Sequence, residues 1–191
     1  MMFLVLMGTA LASGGGIYLE AAGGASTTDS TGFIARGSAF EFGFGGYGGN
    51  YRSTFRYGKY WRVGGVIKAH AVEPLGQLVQ FSSSFGLRIG RGVDLMNLGA
   101  WWSVTAGYTA TFSADTLADA LDLYNLEDPV HGGFIRAALG LTYNFTHAFS
   151  MNIRYEPGLH FDGNGMSYLG GWGLGVQVRI PVIRTHWREE E

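Results

Sequence analysis

The sequence predicts an all-β protein: an eight-stranded antiparallel transmembrane up-and-down β-barrel with a short helix in one outer loop. Three observations lead there. Segments of about ten residues alternate apolar and polar side chains, the period of a strand with two unlike faces. No run of roughly 18 apolar residues occurs, which argues against a helical span and leaves a closed barrel as the way to cross a membrane. Charged residues make up only 15% of the chain, while 32 of its 191 residues are glycine and 15% are aromatic. Glycine at that level without a Gly-X-Y period, beside so many rings, belongs to a folded chain rather than to collagen or a disordered one.

The length fits one domain. A net charge of −2 with scattered basic residues leaves no electrostatic footprint for nucleic acid. The absence of cysteine excludes disulfides, thiolate metal sites, a cysteine nucleophile and a lipoprotein anchor. Residues 1–12, MMFLVLMGTALA, read as a signal peptide closing on the small-x-small set Ala10-Leu11-Ala12. They lack the usual leading Lys or Arg, so the signal reads as truncated at its N-terminus. A buried apolar strand or short helix is the other reading of that stretch. With the signal removed, residues 13–184 form the barrel and 185–191 a charged periplasmic tail.

The strands follow in order. The first, Ile17 to Gly23, sets Ile17, Leu19 and Ala21 against Tyr18, Glu20 and Ala22. In the second, Phe40, Phe42 and Phe44 oppose Ala39, Glu41, Gly43 and Gly45. The third puts Trp61, Val63, Gly65, Ile67 and Ala69 outward, with Arg62, Gly64, Val66, Lys68 and His70 inward. The fourth opposes Phe81, Phe85, Leu87 and Ile89 to Gln80, Ser82, Ser84, Gly86 and Arg88. The fifth runs from Ala100 to Phe112, with Trp102, Val104, Ala106, Tyr108 and Ala110 outward and Trp101, Ser103, Thr105, Gly107, Thr109 and Thr111 opposite. The sixth sets Ile135, Ala137, Leu139, Leu141, Tyr143 and Phe145 against Arg136, Ala138, Gly140, Thr142 and Asn144, and a tight turn at Thr146-His147 follows. The seventh sets Phe149, Met151, Ile153 and Tyr155 against Ser150, Asn152, Arg154 and Glu156 before Pro157 interrupts the ladder. The eighth sets Trp172, Leu174, Val176, Val178, Ile180 and Val182 against Gly173, Gly175, Gln177 and Arg179.

One segment breaks the period. Ser113 to Glu127 carries Leu117, Leu121 and Tyr124 at helical spacing behind a Ser113 or Asp115 cap, and reads as a short amphipathic helix in a long loop. With both termini periplasmic, it lies on the outer side and the Thr146-His147 turn on the periplasmic side. Residues 24–38, 113–133 and 157–168 read as the outer loops, where a specific function would sit.

If the polar faces line a lumen, the interior gathers Glu20, Glu41, Arg62, Lys68, Arg88, Arg136, Arg154, Glu156 and Arg179. An eight-stranded barrel is only wide enough to be filled by side chains, so these groups are expected to pair with one another. Glycines 43, 45, 64, 86, 107, 140, 173 and 175 would make room for the long arginines. The plain reading is a structural plug; the sharper one is a narrow anion-favouring path or a site for a small anionic solute. Tyr57, Tyr60, Trp61, Phe112, Tyr143, Phe145, Phe149, Tyr155, Tyr168 and Trp172, near predicted strand ends, read as the aromatic girdle at the headgroups. A soluble lipocalin-like barrel would turn the same apolar faces inward, and cell fractionation separates the two.

The segment from Leu139 to Glu156, with Tyr143-Asn-Phe145 turning into Arg154-Tyr-Glu156, resembles a hairpin of the OmpA/OmpW/opacity-type superfamily of small outer-membrane barrels. The strand Gly170-Gly-Trp-Gly-Leu-Gly-Val-Gln-Val-Arg-Ile180 is similar to the closing strand of that group. The resemblance implies a Gram-negative outer-membrane location, contact with lipid and lipopolysaccharide, and delivery by the barrel-insertion machinery. Such barrels usually end on an aromatic residue; this chain continues to Glu191, so either Trp187 serves or the insertion signal is internal.

Some barrels of the group modify lipid A, which raises the question of a Ser/His/acid set. His160 and Asp162 near Glu156 offer a general base, but the deacylase-type His-x-Ser signature is missing. Asp162-Gly-Asn-Gly165 lacks the further oxygen ligands of a calcium loop and reads as a turn. Gly43 to Gly49 has neither the Lys-Ser/Thr pair nor the helix of a phosphate loop. His131, His147 and His186 are too scattered for a metal, and no cofactor is implied. Asn144-Phe-Thr146 matches a glycosylation sequon by pattern only. The expected function is therefore a non-enzymatic outer-membrane barrel, with a lipid A acyl hydrolase as the alternative.

Overall fold

The computed structural model describes residues 15–30, 33–52, 57–73, 79–114, 129–146, 148–163 and 165–181. Among them every regular element is a strand: β1 (Gly16–Ser30), β2 (Phe33–Arg52), β3 (Tyr57–Glu73), β4 (Val79–Leu95), β5 (Leu98–Ala114), β6 (Val130–Asn144), β7 (Phe149–Tyr155), β8 (Gly158–Asp162) and β9 (Gly165–Pro181). Neighbours pair antiparallel around a ring that closes by β9 on β1.

Nine strand segments make an eight-stranded barrel because β7 and β8 are one strand. Tyr155 stands opposite Leu139 of β6 and Trp172 of β9, and Gly158 opposite Arg136 and Leu169, so the register on both sides is unchanged across the break. Glu156 exchanges both backbone hydrogen bonds with Gly171, and the Pro157 carbonyl accepts from the Ala137 N–H at 2.9 Å. What is missing is the return bond, since Pro157 has no N–H to donate.

The register also fixes the barrel's shape. Tyr18 pairs with Gly45, and the path continues through Gly64, Arg88, Thr105, Arg136, Gly158 and Leu169 back to β1 at Thr28, ten residues beyond its start. Eight strands with a shear of ten tilt by roughly 40° and enclose a backbone radius of about 8 Å. The shear is even, so inward positions meet inward positions all the way round. Alternation in burial follows: on β6 from Phe134 to Tyr143, Phe134, Arg136, Ala138, Gly140 and Thr142 are buried and the residues between them exposed.

Both chain ends of the barrel, the Met96-Asn97 hairpin and the turn after β6 lie at one end. Thr146 Oγ1 ties that last turn by accepting from the N–H groups of Ala148 (3.2 Å) and Phe149 (2.9 Å). Met96 turns its hairpin with φ 56°, a conformation unusual for a residue with a side chain. At the opposite end β8 and β9 stay paired out to Asp162 and Gly165 (φ 128°).

Two sequence expectations need correction. Residues 24–30, 33–38, 158–162 and 165–168 are strand and not loop, because β1 stays paired with β2 from Gly16 out to Ser30–Phe33 and β8 with β9 out to Asp162–Gly165. Thr27 to Ser30 carry no apolar side chain and so show no strand alternation, whereas Leu159, Phe161, Met166 and Tyr168 do alternate on the exposed face but are flanked by Pro157 and the glycines of the Asp162-Gly-Asn-Gly165 run, which read as loop. Ser113 and Ala114 are the end of β5 and not the cap of a helix; residues 115–127 of that segment, the signal at 1–12 and the tail at 185–191 lie outside the described residues.

Candidate functional site in the barrel lumen

Inward alternation brings Glu20 of β1, Glu41 of β2, Arg62 and Lys68 of β3, Arg88 of β4, Arg136 of β6, Arg154 of β7 and Glu156 into one buried column, with Arg179 of β9 at its end nearest the termini. Three carboxylates organise the middle. Glu20 accepts from Arg62 Nη1 at 3.0 Å and from Arg154, with Arg88 Nη1 at 3.6 Å. Glu41 holds Arg88 Nη2 and Arg154 Nη2, the latter at 3.1 Å, with Lys68 Nζ at 3.9 Å. Glu156 accepts from Lys68 and is ion-paired with Arg154 Nε at 3.0 Å and Arg88 Nη2 at 3.7 Å. Arg88 and Arg154 each touch all three carboxylates, which ties four strands together across the lumen, and Arg62 and Lys68 of β3 add a fifth.

Below this layer, toward the termini, the filling is aromatic. The Arg62 guanidinium lies 3.9 Å from the centre of the Trp101 ring, and Arg179 lies 5.0 Å from that of Tyr60. Trp101 fits across the lumen only because Gly140 faces it: a Cβ there would come within 2.3 Å of the indole. Arg179 pairs with Asp94 at 2.9 Å. Asp94 is the charged group that the sequence reading missed; continuing the alternation of β4 from Arg88 by two residues at a time reaches it. Arg136 departs from the pattern. It forms no ion pair among the described residues, lies 4.4 Å from the Phe134 ring centre, and donates from Nη2 to Ser84 Oγ at 3.3 Å.

The aromatic set divides by parity. Trp61, Phe112, Tyr143, Phe145, Phe149, Tyr155 and Trp172 stand on the outward face, where Tyr143, Phe145 and Phe149 pack ring to ring at 5.0 and 5.6 Å by the termini. Tyr155 lies 4.8 Å from Trp172 and shares a 2.8 Å hydrogen bond with Tyr168. Tyr60 does not belong with them. It is buried in the lumen, because adjacent residues of a strand face opposite sides and Trp61 takes the outward one. Tyr57 pairs with Leu95 through its backbone.

The packing leaves little space. A lumen cavity lined by Glu41, Lys68, His70, Arg136, Arg154 and Glu156 measures about 20 Å³, room for a water molecule. His160 and Asp162 sit at the open end of β8, and His160 Nε2 has no hydrogen-bond partner among the described residues.

No family model matches the chain, and no curated protein matches it. The fold does have counterparts: its eight-stranded barrel is similar to those of small outer-membrane proteins. Neisserial surface protein A superimposes with a TM-score of 0.61 at 14% identity, covering 87% of this chain and 99% of that one. Ail, the attachment invasion locus protein of Yersinia pestis, gives 0.50 at 15% identity over 86% and 99%. The structure of Ail in complex with the heparin analogue sucrose octasulfate gives 0.50 at 12% identity over 87% and 99%. At these identities the likeness is one of fold.

Proposed function

We propose that the chain is an outer-membrane protein of a Gram-negative bacterium, with both termini periplasmic, whose barrel serves as a sealed structural and surface element. The observation that carries this reading is the Glu20–Glu41–Glu156 layer, in which Arg88 and Arg154 bridge all three carboxylates beside a cavity of about 20 Å³, room for a water molecule. Buried ion pairs of this kind are poor sources of net stability against apolar packing, but they hold a unique arrangement once formed. The outward apolar face suits lipid, the two groups of rings suit its headgroup regions, and the projecting wall would meet lipopolysaccharide. Insertion by the barrel-insertion machinery follows from the same reading.

Planar-bilayer recording of the refolded protein tests it. The expected result is no current above background; steady anion-selective current would replace the sealed barrel with the narrow conduit. Lipid A mass spectra from cells with and without the protein are expected to match, and loss of an acyl chain in the expressing cells would favour the hydrolase instead.

A further inference from the structure

The outward face carries a cation that the lumen does not use. Arg91 of β4 is exposed and stands directly opposite Trp61 of β3 on one side and Trp102 of β5 on the other, so three strands present Trp, Arg and Trp in one outward row. Lys59, also exposed, lies one outward position nearer the termini, opposite Val93. The outward positions around Arg91 are Val63, Ile89, Val93, Ala100 and Val104, with no carboxylate among them. Among the described residues Arg91 has neither an ion pair nor a hydrogen bond.

Its depth sharpens the point. Exposed apolar side chains continue on both sides of it, Leu87 and Ile89 toward the middle of the barrel and Leu95 and Leu98 at the hairpin. Arg91 therefore sits within the apolar band and not beyond its edge. A bare cation on the lipid face is unfavourable in proportion to its depth, and a long side chain reaches for the nearest anion or for water. We propose that Arg91, flanked by Trp61 and Trp102, binds the phosphate of a phospholipid headgroup in the leaflet on the side of the chain termini. A planar guanidinium matches two phosphate oxygens with parallel N–H bonds. The indole N–H groups offer further donors, and Lys59 a second positive charge. The inference rests on the outer-membrane reading above.

Native mass spectrometry of the refolded barrel, released from micelles with added phosphatidylglycerol, tests the site. Wild-type protein is expected to retain one phosphatidylglycerol, and Arg91→Gln to hold it about tenfold more weakly, as for loss of a bidentate charged contact. The double substitution Trp61→Phe/Trp102→Phe, which keeps the cation, is expected to fall between. Equal retention by Arg91→Gln overturns the site. Diacylglycerol, which has no phosphate, is expected to wash off; retention as strong as that of phosphatidylglycerol overturns phosphate recognition. Inorganic phosphate is expected not to be retained, and retention of it alone would make the site one for a free anion and overturn the lipid assignment. Heat-modifiable gel migration of both forms shows that each is a folded barrel, and its absence in the wild type would remove the outer-membrane reading on which the site rests.

Discussion

Glu20 is the residue on which most of the lumen depends. It is 1% exposed and faces Arg62, Arg88 and Arg154 together. Glu20→Gln leaves three guanidinium groups with one fewer counter-charge, and is expected to lower unfolding stability in detergent by about 3–5 kcal/mol, as for other broken buried pairs. Urea titration followed by tryptophan fluorescence reads the change; a loss below about 1 kcal/mol would mean that the pairs are solvated. Gly140→Ala probes the aromatic layer, since its new methyl group meets the Trp101 ring. A loss of about 1–3 kcal/mol is expected, smaller in a Trp101→Leu background. Parity made most of this column readable from the residue order: every charged member except Asp94 lies on an alternation that apolar partners announce. Asp94 was hidden because Arg91 breaks the apolar face of β4 just before it. Tyr60 was misplaced for the complementary reason, since two adjacent aromatic residues of a strand cannot both stand on the outward face.

At the scale of elements, the break at Glu156–Pro157 is a missing hydrogen bond within a continuous strand. Pro157→Ala would give the backbone an N–H to return to Ala137, while freeing the unfolded chain. The two effects oppose each other, so overall stability is expected to change by less than about 1 kcal/mol. The new amide at position 157 is expected to be protected from hydrogen exchange as well as its neighbours in β7. Fast exchange there would show that the strand is broken by more than its proline. The ends of the elements were harder to read than their middles. Thr27, Thr28, Asp29 and Ser30 on one strand and Arg36, Gly37 and Ser38 on the next have loop composition, yet they pair residue by residue. Lower on the wall an apolar face alternates with a polar one; from Thr27 to Ser30 both faces are polar, and the period that reveals a strand is lost.

For the whole molecule, strand number and shear determine what the barrel can enclose. A backbone radius of about 8 Å leaves an interior that Arg62, Arg88, Arg154 and Trp101 fill, which is why conductance is expected to be absent. Closure was legible because no run is apolar and long enough for a helical span, which left a closed barrel as the way for alternating strands to cross a membrane. The shear was not, since it depends on pairing across strands.

If the barrel lies in the outer membrane as proposed, the pairing of β1 with β2 and of β2 with β3 also decides where a protease can cut it. Proteases take their substrate as a free extended chain, and Arg36 has its backbone already committed to Thr27 on one side and Glu73 on the other. Trypsin applied to intact cells is expected to leave the bond after Arg36 whole, however exposed the composition of that stretch makes it look. Cleavage there would mean that the upper hairpin peels open. Its persistence would make the rim a shield, with peptide cuts confined to the turns between strands.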